Sequence, residues 1–196
     1  MKDLSKLLLL VEEELVQLKF PNIDILQIGL SSDKVMDLLD SLNLVSDLLV
    51  ALYAWRNGVP NMDEQTIGKV ELFARAIMLP LQDAIEHYNY ATSNEIWDLN
   101  LFPIFTNGGG DYLLFDTDKQ GGMGGQMFIY APSILLTEQP VSIYDDIATM
   151  FETVLACYKQ GAYQFDQDGF IEVDYQIEQQ LAQSKNQNSE YWGLDS

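Results

Sequence analysis

The chain is poor in the residues that most reactive chemistry needs. It has 196 residues with one cysteine, Cys157, and one histidine, His87. One cysteine excludes an intramolecular disulfide and agrees with a reducing compartment. One histidine and one cysteine together are too few for a zinc site built on nitrogen and sulfur ligands. Positive charge is equally scarce, with ten Lys and Arg against thirty Asp and Glu, a formal charge of −20. A field of that sign repels phosphate backbones and anionic lipid, so binding to nucleic acid or to a membrane surface is not expected. Long apolar runs are also lacking. Residues 7–11 are apolar but meet Glu12, Glu13 and Glu14 at once, too soon for a signal-peptide core or a membrane span. The expectation is a cytoplasmic protein.

Apolar residues make up 47% of the chain, and its length suits one domain with a true core. The organising stretch is 97–132. Three short runs rich in Phe, Ile, Tyr and Leu, at 101–106, 112–116 and 126–131, are separated by Gly108-Gly109-Gly110 and Gly121-Gly122-Met123-Gly124-Gly125. Such runs read as strands, and breaks this short make antiparallel hairpins, because a parallel return needs a crossover of a dozen residues. A Gly-rich meander at the centre of an antiparallel or mixed sheet is therefore expected.

Around it the apolar spacing is helical. Leu4, Leu7, Leu8, Val11, Leu15 and Leu18 form one face, closed by Pro21-Asn22. Ser31, Ser32 and Asp33 offer N-caps for a helix over 34–42. A further helix bears Val45, Leu48, Leu49, Leu52, Tyr53 and Trp55, with Asn57-Gly58 as its αL-type stop. Strand character is expected over 72–78, then a helix over 81–90 opened by Pro80. Residues 132–140 read as a connector, and Val141-Ser142 as the cap of a long helix over 143–160 ended by Gly161. The tail, 166–196, is acidic and amide-rich, with room for one helix before a flexible run over 183–189.

The order and certain residues resemble the SMI1/KNR4 family, also called the SUKH superfamily. Leu44-Val45-Ser46-Asp47-Leu48, then Leu52-Tyr53 and Asn57-Gly58, is similar to its LP-x-D-L…F/Y…NG segment. Phe102-Pro103-Ile104-Phe105, then Asn107-Gly108-Gly109-Gly110-Asp111, is similar to its strand and glycine turn, and Leu114-Phe115-Asp116 to its next strand. Val45 stands where the family usually has Pro, and the tail has no counterpart. The resemblance covers about 30–160. It implies an α+β fold in which helices cover the sheet, no enzymatic activity and no cofactor. It also implies a protein partner: a toxin, in many cases a nuclease domain, for bacterial immunity members, or signalling proteins for fungal regulatory members. The domain expectation is then 1–165, with an N-terminal helix over 3–19 ahead of the family-like core, followed by the extension 166–196.

The remaining motifs favour binding over catalysis. Neither glycine cluster carries the Gly-Lys-Ser/Thr end of a P-loop or opens a helix with GxGxxG spacing. Counted as EF-hand loops, Asp116 places Met127 at the twelfth position and Asp166 places Gly169 at the fourth, so neither fits. No G-x-S-x-G elbow supports a nucleophilic serine near His87. What is left is diffuse acid. Asp63, Glu64, Asp111, Asp116 and Asp118 are candidates for contact with a basic partner, while Asp145 and Asp146 suit a helix N-terminus without one. Trp192 either folds back on the core or waits as an interface anchor. The expected function is stoichiometric binding of a basic toxin domain. The alternatives are a regulatory scaffold and, of another class, a hydrolase using clustered carboxylates and a metal ion.

Overall fold

A computed structural model describes residues 3–20, 23–118 and 125–194. Helix α1 (Leu4–Gln17) starts at Asp3, whose side chain accepts from Lys6 N, and it buries Leu4, Leu7, Leu8, Val11 and Leu15. The Pro21-Asn22 stop lies outside the described residues. Helix α2 (Ser32–Asp40) is capped by Ser31, and α3 (Asp47–Trp55) by Ser46. Glu12 ties α1 to the end of α3, accepting from Trp55 Nε1 and from the Arg56 guanidinium, each at 2.6 Å.

The stop after α3 differs from expectation. Arg56 is extended and bridges to Ile28, so the chain leaves the helix straight and not through an αL residue. Asn57 instead reaches forward: its Oδ1 accepts from Leu81 N and its Nδ2 donates to Gln27. Gly58 does have φ +71°, and a Cβ there would lie 2.4 Å from Leu79 C and Pro80 N. The pair therefore clasps the start of the next helix.

Strand character over 72–78 shrinks to β1 (Ile77–Met78). Leu72 and Phe73 enter a tight turn closed by a Phe73–Ala76 bridge, with Arg75 at φ +59°. A residue in that region cannot continue a strand. Helix α4 (Leu81–Ser93) follows, with Pro80 just outside it as N-cap.

The meander is as expected: β2 (Leu101–Thr106), β3 (Tyr112–Asp116) and β4 (Met127–Tyr130) pair antiparallel in order. Gly121-Gly122-Met123-Gly124 lie outside the described residues. The connector contains a helical turn, α5 (Pro132–Leu135). Residues 141–144 then correct the sequence reading, for they form β5 (Val141–Tyr144) on the far side of β4, not a helix cap. The sheet is five-stranded in chain order and wholly antiparallel.

Helix α6 (Ile147–Lys159) starts at Asp146, whose side chain accepts from Thr149 N. Gly161 (φ +73°) turns the chain into the hairpin of β6 (Tyr163–Phe165) and β7 (Ile171–Val173). Helix α7 (Tyr175–Lys185) and a 3-10 turn, Tyr191–Gly193, end it.

The layers follow from strand alternation, reset in β2 by a bulge between Pro103 and Phe105. Phe102, Phe105, Leu113 and Phe115 face the main core, where α6 lies on the sheet and α1 and α3 pack behind it. Leu101 and Leu114 face the other way, into a smaller cluster with Ala91 of α4 and Trp97. The fold is thus α+β, a sheet between helices. Among the described residues no helix is long and apolar enough to cross a membrane.

Candidate functional site

The β2–β3 turn is built to be rigid. Asn107 Oδ1 accepts from Gly109 N and Asp111 N, and its Nδ2 donates to Asp111 Oδ2. Thr106 Oγ1 donates to Asp111 O and accepts from Gly108 N. Gly108 has φ +73°, and a Cβ on it would come within 2.8 Å of Ile67 Cδ1. The positive φ favours glycine there, and the Ile67 side chain of the 61–67 loop packs into the space that a Cβ would take.

Between that turn, the loop and α4 runs a cleft of about 680 Å³. The loop supplies Asn61, Asp63 and Gln65, and α4 supplies Asp83, Glu86 and His87. Positions 83, 86 and 87 share one helix face because they differ by three and four residues. Thr106, Gly108, Gly110 and Tyr112 form the sheet wall. His87 Nδ1 lies 3.2 Å from the Tyr112 hydroxyl. Partial burial, then the neighbouring Glu86 charge, raises the Asp83 carboxyl above its ordinary pKa, with His87 opposing. Burial raises Tyr112 likewise. The lining holds three carboxylates, Asp63, Asp83 and Glu86, and no lysine or arginine. What it offers is attraction for a cation, with the Tyr112 and His87 rings, tilted 55° to each other, beside it.

The acidic residues singled out in the sequence divide between two ends of the sheet. Asp63 lines the cleft and Glu64 is exposed beside it on the same 3-10 turn. Asp111 is half-buried at the turn, bonded to Asn107 and facing the Arg75 charge; burial raises its carboxyl. Asp116 and Asp118 lie at the opposite end of β3. Asp116 is buried, accepting from Asn100 Nδ2 at 2.7 Å and from Asp118 N at 2.8 Å, so it is an internal acceptor. Asp145, at that same end, accepts from the Asn188 backbone and side chain. Trp192 folds back: it is 8% exposed, its ring packed on Tyr144 and Tyr191.

Sequence reasoning missed Asp83, Glu86, His87 and Tyr112 as neighbours of Asp63. The 83-86-87 spacing was the available signal; nothing local tied it to a loop twenty residues earlier. Cys157 is buried, its thiol pushed up to about 12 by burial and then by the Glu178 charge, which leaves it unreactive. Among the described residues no three Asp, Glu, His or Cys side chains are grouped so as to hold a metal ion. The sequence matches no protein-family model, and none of the curated proteins matches it.

Proposed function

We propose that this chain is a non-enzymatic, cytoplasmic protein-binding domain of SMI1/KNR4 (SUKH) type, an immunity protein that neutralises a basic toxin domain by occluding it. The observation that carries the reading is the acidic cleft: three carboxylates without a lysine or arginine, framed by a turn rigid enough to be gripped without rearrangement. A nuclease or similar toxin presents Lys and Arg to phosphate. A rigid carboxylate surface takes the place of that phosphate and blocks it stoichiometrically. Close charge pairs in such interfaces couple by about 1.5–7 kcal/mol, and long-range attraction speeds encounter towards ~10⁸–10⁹ M⁻¹s⁻¹ at low salt. A stable complex buries about 1,600 Å² in total. The cleft is then one part of a larger contact that includes Glu64 and the turn.

Rescue is the test. The product of the adjacent gene is expressed with and without this chain. Growth arrest by that product, lifted by co-expression and accompanied by a stoichiometric complex on size exclusion, is the expected result. Toxicity that persists in excess of this chain overturns immunity. A stoichiometric complex with a non-toxic signalling protein would assign the regulatory role instead.

A further inference from the structure

Across the β2–β3 turn from the acidic cleft lies a second opening, of about 350 Å³, between α5, the start of α7 and the C-terminal 3-10 turn. Its walls include Ile134, Tyr175 and Leu194, which are 51%, 58% and 52% exposed. Single exposed apolar side chains mean little, but three around one concavity mark a contact surface. Trp192 also lines it; the residue is 8% exposed and its buried indole N–H meets no acceptor.

Charge decides what the pocket takes. Arg75 stands at the rim, its guanidinium 5.6 Å from the Tyr175 ring centroid. It is already accompanied by the buried Glu178 carboxylate and the Tyr191 hydroxyl. The pocket therefore asks for an uncharged occupant. The two openings adjoin. Gly110 and Tyr112 line the cleft, while Asp111 and Tyr112 line a small cavity behind the pocket that also touches Arg75, Ile134 and Trp192. A partner seated on the cleft reaches the pocket by passing over the turn. A second copy of this chain is disfavoured, because two bodies of charge −20 repel.

We infer that the pocket at Ile134, Tyr175, Trp192 and Leu194 seats an apolar anchor side chain of the same basic partner. This rests on the cleft reading above. It specifies the partner's contact segment as an apolar residue flanked by Lys or Arg, the arrangement of a hot spot inside a polar rim.

Two capped peptides test it against the isotope-labelled full chain: Ac-Lys-Lys-Gly-Trp-Gly-Lys-Lys-NH2 and the same peptide with Ser for Trp. The Trp peptide is expected to bind at least about tenfold tighter and to shift the Trp192 indole resonance. Ile134→Asn and Leu194→Asn, uncharged changes at exposed positions that leave the fold intact, are expected to erase that difference and leave the Ser peptide unaffected. Equal affinities with an unmoved Trp192 resonance overturn the anchor but not the cleft. Failure of both peptides to shift Asp63, Asp83 and Glu86 overturns the cleft reading itself. Tryptophanamide alone binding as well as the Trp peptide makes this a small-molecule pocket and overturns the partner anchor. Self-association that Ile134→Asn abolishes would assign the pocket to a second copy and overturn the anchor in the same way.

Discussion

Glu178 shows how much a single residue's role depends on what folds over it. In the sequence it is one more acid of an acidic tail. In the structure it is 4% exposed, accepts from the Tyr163 hydroxyl and faces Arg75. Burial raises its carboxyl above the ordinary value of 4.5, with Tyr163 and Arg75 opposing. Between that value and the folded one, the native state binds the proton that the unfolded state has released. Stability therefore falls as pH rises through that window. Glu178→Gln keeps an oxygen for Tyr163 and removes the buried charge. It is expected to match or exceed the native chain in urea melts at about pH 8, and the native chain to gain on it as pH falls towards about 4.5. A native chain that instead loses ground to the variant on acidification would show that Arg75 and Tyr163 outweigh burial. Bonding partners are the illegible part at this scale. Asp116 and Asp145 stand out in the sequence as acids, but their acceptor roles depend on Asn100 and Asn188, 16 and 43 residues away.

At the scale of elements, the meander and the apolar faces of α1, α3, α4 and α6 are legible, because each is fixed by spacing within its own segment. Sequence and structure part where one period runs on into a neighbour. Ile143, Ile147 and Phe151 are four apart, so β5 reads as the first turn of α6. The true start is Asp146, the residue with the capping bond. The tail is hard to read because its fixing contacts are distant and polar. Asn186, inside the run expected to be flexible, is 2% exposed and donates to Thr153 and Ala182. Ser189 donates to Ser142 O, and Glu190 N donates to Ser142 Oγ, so the tail covers the open edge of β5. An uncovered edge invites pairing with other chains. Trp192 fastens this cover on Tyr144, and Trp192→Ala is expected to cost about 3–5 kcal/mol in urea unfolding. An edge freed in this way is also expected to make the variant aggregate on standing. Native-like stability in that variant would mean that the cover is dispensable.

At the scale of the whole molecule, one cause acts with two signs. Thirty acids against ten bases strain the folded state by mutual repulsion, and the same excess draws a basic partner to the cleft. Salt weakens both, because the screening length shrinks from about 30 Å at 0.01 M to about 3 Å at 1 M. Added NaCl is therefore expected to raise the melting temperature while loosening the Ser-containing basic peptide from the cleft. The two responses separate under mutation. Replacing Asp63, Asp83 and Glu86 with their amides removes three of the thirty acids, so the rise in melting temperature should shrink only slightly. Those three are the carboxylates that line the cleft, so the salt dependence of peptide affinity should flatten strongly. Titration of both native and amide chains across that salt range, with sucrose as an uncharged control, measures the two slopes together. If the amide chain lost peptide affinity no faster than it lost its share of charge, the attraction would belong to the overall field, and the cleft would have no special claim on the partner.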